Sequence, residues 1–388
     1  MANFKVKNGL QAGRYLLSGG TETAGSEGYY LAGASYDSVS FSVSGQDTLP
    51  RRITFNNDGT KMYMLGASNT SVYQYSLSTA FDVSTASYDS VSFNVGGTMS
   101  GPFDVTFNSN GTKMYILAFG TDAIYQYTLS TAFDLSTISY DNVSFSVTSQ
   151  DTTPRGLDFN NDGTKMYVVG DTNNSIYQYS LSTAFDLSTA SYDSVSFSVA
   201  TQDTNPSGIA FNTNGSKMYV VGFASDSVYQ YSLTTAFDLS TASYDSVSFS
   251  VSGQALIPYS ISFNATGSKM FILDNNTKNV LQYSLSTAFN LSTASYDTVS
   301  FTITQMSNPV GMAFNTDGTK MYVVGTTNDT VYQYSTATPA TITYPSTIEW
   351  PGGSAPTSPP IGETDVLTFS TRDGGSTYQG VLAIDGAK

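Results

Sequence analysis

The side chains able to do chemistry are few in kind. Histidine and cysteine are absent. That removes Ser-His and Cys-His triads, imidazole acid/base work, thiolate chemistry, disulfides and nearly every transition-metal site. The four glutamates, Glu22, Glu27, Glu349 and Glu363, all lie near the chain ends. A carboxylate pair for glycoside hydrolysis in the body of the chain must therefore be two aspartates. Asp47, Asp151 and Asp203 recur in Gln-Asp-Thr, and recurrence suits a loop-capping role better than catalysis. The Asp-Gly and Asn-Gly turns lack the oxygen spacing and terminal Glu of an EF-hand. On this inventory the chain is expected to be no enzyme, to hold no metal and to need no cofactor.

Charge narrows the partners. Fifteen Lys+Arg against thirty Asp+Glu leave a formal charge of −15, which argues against nucleic acid, since phosphate binding needs clustered cations. No apolar run approaches the length of a membrane span, and the opening residues lack the apolar core of a signal peptide. Neither membrane insertion nor export is expected.

The elements that must position any site follow from an internal repeat. A proline opening an Ile/Val/Leu-x-Phe-Asn run stands at 50, 102, 154, 206, 258 and 309. After each come a Gly-(Thr/Ser)-Lys-Met turn, a Tyr-rich strand and Tyr-Asp-x-Val-Ser-Phe. In the first unit this reads as strands at 53–55, 61–65, 72–77 and 90–95, the second entered through the hairpin turn Asn57-Asp58-Gly59-Thr60. No segment has a helical period. Four short strands per unit and six units predict an all-β, six-bladed β-propeller. The last unit lacks its fourth strand, while an orphan fourth strand, Tyr36–Val43, precedes the first proline. Pairing the two closes the ring and removes two sheet edges.

The register accounts for most of the conspicuous residues. Twenty-two of the 28 tyrosines occupy four repeat positions, which reads as blade-to-blade packing with each hydroxyl satisfied at an edge. Lys61, Lys113, Lys165, Lys217, Lys269 and Lys320 all follow the Gly-Thr/Ser turn and read as solvated turn residues rather than an anion ring. In a four-stranded blade the loops 1→2 and 3→4 share one face, and they are nearly identical in every unit. The loops 4→1 and 2→3 share the other face and vary. On that variable face lie the basic residues that break the repeat, Arg51, Arg52, Arg155 and Lys278. The bulky ones, Met99, Phe103, Phe119, Phe223, Tyr259 and Met306, lie there too. A site for one asymmetric ligand must break the symmetry of its scaffold, so these ten residues are the binding candidates.

The chain divides into an attachment segment (1–28), the propeller (29–335), a Pro/Gly/Ser/Thr linker (336–362) and a C-terminal β-hairpin (363–388) suited to oligomerisation or docking. The turns of the repeat loosely resemble the Asp-box hairpins of sialidases, but five arginines are too few for a carboxylate clamp of three. The tail from Trp350 (Trp-Pro-Gly-Gly-x-Ala-Pro, Gly-Glu-Thr-Asp-Val, Phe-Ser-Thr-Arg-Asp-Gly-Gly-Ser-Thr-Tyr) and the opening Asn3–Leu10 resemble segments of virion structural proteins of tailed, notably marine, bacteriophages. That resemblance implies a tail fibre or appendage, often homotrimeric, in the virion. It implies partners among tail or capsid proteins and further copies of the chain, and it carries over no catalytic residue. The resulting expectation is a virion protein whose variable propeller face binds a host-surface glycan or protein. The alternatives are a spacer or decoration protein, a polysaccharide-degrading enzyme and a bacterial adhesin.

Overall fold

The computed structural model describes residues 21–23, 29–336, 341–343, 348–351, 353, 364–370 and 378–387. Residues Tyr29–Thr336 form one compact unit, and Met1–Gly28 with Ala337–Lys388 a second. In the second, Thr21–Thr23 pairs antiparallel with Thr341–Thr343. Strand Tyr378–Ala387 pairs antiparallel with Thr364–Ser370 and parallel with Ile348–Glu349. The hairpin's Asp-Gly-Gly turn, most of the linker and nearly all of the attachment segment lie outside the described residues.

The first unit is a ring of six four-stranded antiparallel blades, as the repeat predicts. Blade 1 comprises Pro50–Phe55, Lys61–Gly66, Ser71–Leu77 and Ala86–Asn94, and the next four follow the same order. Blade 6 takes Pro309–Phe314, Lys320–Gly325 and Thr330–Ser335 from the end of the repeats and Ser35–Ser42 from before them. The closing segment copies more than a strand. Leu31–Gly33 forms the same short 3-10 turn that precedes the fourth strand in the other blades, and Tyr29 stands where they have phenylalanine.

The apolar core divides into six clusters, one between each pair of neighbouring blades. Two polar devices fix the spacing of the blades. The Gln of each third strand is buried and accepts the N–H of the 3-10 turn in the next blade, as in Leu135 N to Gln74 Oε1 at 2.7 Å. Across the closure, Leu31 N donates to Gln282 Oε1 at 2.6 Å and Val83 N to Gln333 Oε1 at 2.7 Å. The second device is the tyrosine of the second strand in five blades (blade 5 has Phe271), whose hydroxyl donates to a carbonyl of the neighbouring blade, Tyr63 to Phe133 and Tyr322 to Phe81 among them. A buried amide left unpaired costs about 1–3 kcal/mol, so these repeated bonds hold neighbouring blades at one separation.

The lysine ring is not a set of solvated turn residues. Each lysine is half-buried and bridges to the aspartate of Tyr-Asp-x-Val, from Lys165–Asp193 at 3.6 Å to Lys320–Asp37 at 2.6 Å. A bulge in the fourth strand, with Ser90 at φ 57°, aims that aspartate back across the blade. Asp89 Oδ2 there accepts from Gln74 and Ser76 as well. Alternation alone cannot show this, because a bulge interrupts the period.

The hairpin glycine between first and second strands is required twice over. Gly163 has φ +72°, and a Cβ there would sit 2.2 Å from the Phe185 ring. Gly163→Ala is expected to cost roughly 1–2 kcal/mol from the left-handed backbone alone, plus the displacement of the ring. Urea unfolding of the variant checks it, and an unchanged midpoint would show that neither the backbone nor the ring resists the methyl group.

Candidate functional site

The innermost strands line the axis, and two of them break the repeat with acids. Most of their axis-side positions hold Gly, Ala, Ser or Thr, but blade 2 carries Asp104 and blade 3 carries Asp158. Both carboxyls are pushed up from the ordinary aspartate value. Burial raises Asp104 against the Arg52 charge and the amides of Val105 and Leu157. Burial and the neighbouring charge of Asp104 push Asp158 up to about 6, opposed by the N–H of Phe159.

Asp158 opens into a cavity of about 390 Å³ at the end of the axis where the nearly identical 1→2 turns lie. Blades 3, 4 and 5 wall it through Phe159, Phe211 and Phe263, with Phe237 and Phe289 from the adjoining 3→4 loops. The rings are locked in pairs, Phe211–Phe237 and Phe263–Phe289, each with centroids 5.6 Å apart. The lining amides are committed elsewhere. Asn212 Oδ1 accepts Lys217 N and Asn264 Oδ1 accepts Lys269 N, both at 2.9 Å, bracing the hairpins. One group remains available: Asp158 Oδ1 accepts only its neighbour Phe159 N at 2.9 Å. Ser262 also lines the cavity, with its Oγ buried and unpaired. A desolvated carboxyl in a cavity of ligand size, with a buried unpaired hydroxyl on a lining residue, makes this a candidate acid/base site.

At the opposite end, Arg52 spans the mouth of the channel. Its Nε lies 3.4 Å from Asp104 Oδ1, and an Nη donates to the Val310 carbonyl of blade 6. The guanidinium sits 5.7 Å from the Phe103 ring centroid and 5.9 Å from that of Tyr259. Phe103 meets Phe119 edge to face at 6.1 Å, and Tyr259 stacks with Phe223 at 6.1 Å. Five of the ten sequence candidates thus join in one chain across the axis: Phe119, Phe103, Arg52, Tyr259 and Phe223.

The other five do not join it. Met99 and Met306 are 5% and 4% exposed and belong to the inter-blade core. They occupy the position that holds the capping aspartate in other blades. Asp47 there is buried and accepts Leu49 N and Asn69 N at 2.7 Å, tying the 4→1 loop to the 2→3 loop. In blade 5 the two positions exchange chemistry, with Ala255 in the loop and Asp274 on the strand. Asp274 accepts Ile257 N at 2.6 Å and Thr277 N at 2.9 Å. Arg155 closes a local pair with Asp171 at 3.0 Å. Lys278 takes the left-handed turn position at φ 60°. Arg51 is half-buried, with Nε unpaired.

Sequence reasoning sought repeat-breaking cations and bulky groups and passed over repeat-breaking acids. Asp104 and Asp158 were visible by that same test, since no other blade has an acid on its innermost strand. Ser262 carried no signal, because serine is also one of the small residues the axis demands.

Residues 97–289 match the family model described as "Lactonase, 7-bladed beta-propeller". The matched stretch covers blades 2 to 4 and most of blade 5, including both axial aspartates and Ser262, in a ring with one blade fewer. Among solved structures the chain is similar to a candidate 6-phosphogluconolactonase of Bacteroides uniformis, at 11% identity and TM-score 0.50 over 65% of this chain and 70% of that one. A functionally unknown protein of Desulfotomaculum acetoxidans matches at 13% identity and TM-score 0.50, over 71% and 79% of the two chains. The Cps50 (Swd1) β-propeller domain of Myceliophteria thermophila matches at 9% identity and TM-score 0.53, over 77% and 100%. No curated protein matches the sequence. At these identities the structures speak for the fold alone, and the phage resemblance of the end segments remains a resemblance.

The lactonase match overturns the expectation that the chain is not an enzyme. That expectation rested on missing histidine, cysteine and mid-chain glutamate, and did not weigh carboxyls that only the ring brings to one axis. The chain is a six-bladed β-propeller whose central blades are similar to a lactonase family.

Proposed function

We propose that the protein is a hydrolase that opens lactones in the axial cavity. The observation that carries this reading is Asp158 and Ser262, one desolvated and one unpaired, lining the same 390 Å³ space. A carboxylate with a value near 6 is ionised at neutral pH yet basic enough to accept a proton from water. In the reading, water attacks the lactone carbonyl while Asp158 takes its proton, and the Ser262 hydroxyl, turned from its buried rotamer into the cavity, donates to the oxyanion. Collapse breaks the ring C–O bond, and the proton on Asp158 passes to the leaving alkoxide. The product is the hydroxy acid, and the carboxylate is regenerated. Acid release by the full chain from a panel of simple lactones, followed at constant pH beside Asp158→Asn, tests it. Equal rates for the two proteins would remove the reading.

A second reading rests on the other face. Phe119, Leu256 and Ile257 are 43%, 54% and 37% exposed, the large apolar side chains most open to solvent among the described residues. All three sit on variable loops. This reading makes the chain a virion protein of a tailed phage, a fibre or appendage anchored by its terminal segments, with the variable face on a host-surface glycan. Trimeric display would multiply a weak contact. Binding to a glycan array is expected for the full chain and is expected to fall at least about tenfold in Phe119→Ala/Tyr259→Ala, by loss of stacking area. Identical array profiles for the two proteins would sink the recognition role.

A further inference from the structure

We infer that the axial cavity selects uncharged, unphosphorylated lactones and rejects phosphorylated ones, which deepens the hydrolase reading and rests on it. A phosphate-bearing substrate needs a cation or a cluster of backbone amides at the site, and the cavity offers no cation. None of its lining residues is Lys or Arg, and its one ionisable group is Asp158. The lysines of the three blades around it point their charge elsewhere. Lys165, Lys217 and Lys269 are engaged with Asp193, Asp245 and Asp297 at 3.6, 3.3 and 2.8 Å. The axial arginine, Arg52, is held by Asp104 near the opposite end of the innermost strands. The surrounding field opposes an anion as well, with a net charge of −15 on the whole chain.

What the cavity does offer is aromatic rings beside uncharged polar side chains. The paired rings Phe211–Phe237 and Phe263–Phe289 present faces suited to the C–H side of a small ring. Asp158 and Ser262 line the same space from blades 3 and 5. A phosphorylated lactone, the substrate after which the Bacteroides uniformis neighbour is named, is therefore not the one this cavity fits.

The test compares glucono-δ-lactone with its 6-phosphate on the full chain, by rate of acid release, and compares the two matching δ-lactams by saturation-transfer NMR. The neutral lactone is expected to be favoured in kcat/KM on the order of tenfold or more, from repulsion between Asp158 and a phosphate dianion across a partly desolvated cavity. Thr213→Lys adds a cation at the exposed cavity rim. It should raise the rate on the phosphate ester relative to the neutral lactone about tenfold. Faster hydrolysis of the 6-phosphate by the unaltered chain overturns the inference and leaves the hydrolase reading standing. Binding of the neutral lactam alone, with neither lactone opened, removes the hydrolase reading and upholds the selectivity. Equal binding of both lactams, or of neither, overturns the inference whatever the rates.

Discussion

Asp158→Asn is expected to lower lactone hydrolysis by about 10²–10⁴-fold and, at neutral pH, to make the protein more stable. The two effects have one cause. The folded carboxyl stands at about 6 against 3.8 for the ordinary group, so the native state holds this proton more tightly than the unfolded chain. Below pH 3.8 both states are protonated, and the residue is neutral to stability. Between 3.8 and 6 the unfolded chain releases the proton first, and stability falls as pH rises. Above 6 the native protein carries the full cost of an ionised, desolvated carboxylate, at most ~3 kcal/mol because the cavity admits water. Asparagine has the same shape and no charge. Urea unfolding should therefore show the variant more stable at pH 7.5 and level with the parent at pH 3.5. Activity of the parent should rise through about pH 6. Equal stabilities at both pH values would mean that Asp158 is not desolvated, and the general-base role would lose its physical basis.

Removing residues 1–43 is expected to abolish the cooperative unfolding of the ring. The deletion takes Leu31 and Val43 out of buried sites, at about 1.5–3 kcal/mol each. It also orphans what they leave behind. Gln282 loses Leu31 N, while Lys320 and Gln333 lose Asp37, to which they donate at 2.6 and 2.8 Å. Each polar group stranded in the interior adds about 1–3 kcal/mol. The total exceeds about 5 kcal/mol, comparable with the whole stability of an ordinary domain. Strand Thr330–Ser335 would then present an open edge, so the truncated chain should also associate. A synthetic peptide of residues 29–43 should restore a single urea transition when added in excess. A truncated chain that unfolds cooperatively without the peptide would show that five and three-quarter blades suffice.

Much of this was open to reading from the residues. Six prolines at a near-constant spacing, the two-residue alternation of Val91-Ser92-Phe93 and the orphan strand before Pro50 define blade number, strand number and closure. Each depends on local backbone geometry repeated six times. The capping role of Asp47, Asp151 and Asp203 was legible too, for a short carboxylate beside a turn satisfies the nearest amides. The lysines were misread because their partners are 28 residues away, or 283 for Lys320, on a strand bent by a bulge. Met99 and Met306 were misread because a repeat-breaking residue can face inward, filling the space of a missing aspartate, as readily as outward.

By itself, then, the sequence determined the ring: propensity, turn chemistry and a repeat act within a few residues of each other, and six copies of one solution leave little else to decide. Only the tertiary structure decided the site. Asp104 and Asp158 are 54 positions apart in the chain and share an axis because their blades are neighbours. Ser262 reaches the same cavity from two blades beyond Asp158, and Arg52 meets Phe103 and Tyr259 from both sides. Burial, which raises a carboxyl and leaves a hydroxyl unpaired, belongs to the closed ring and to no segment of the chain alone.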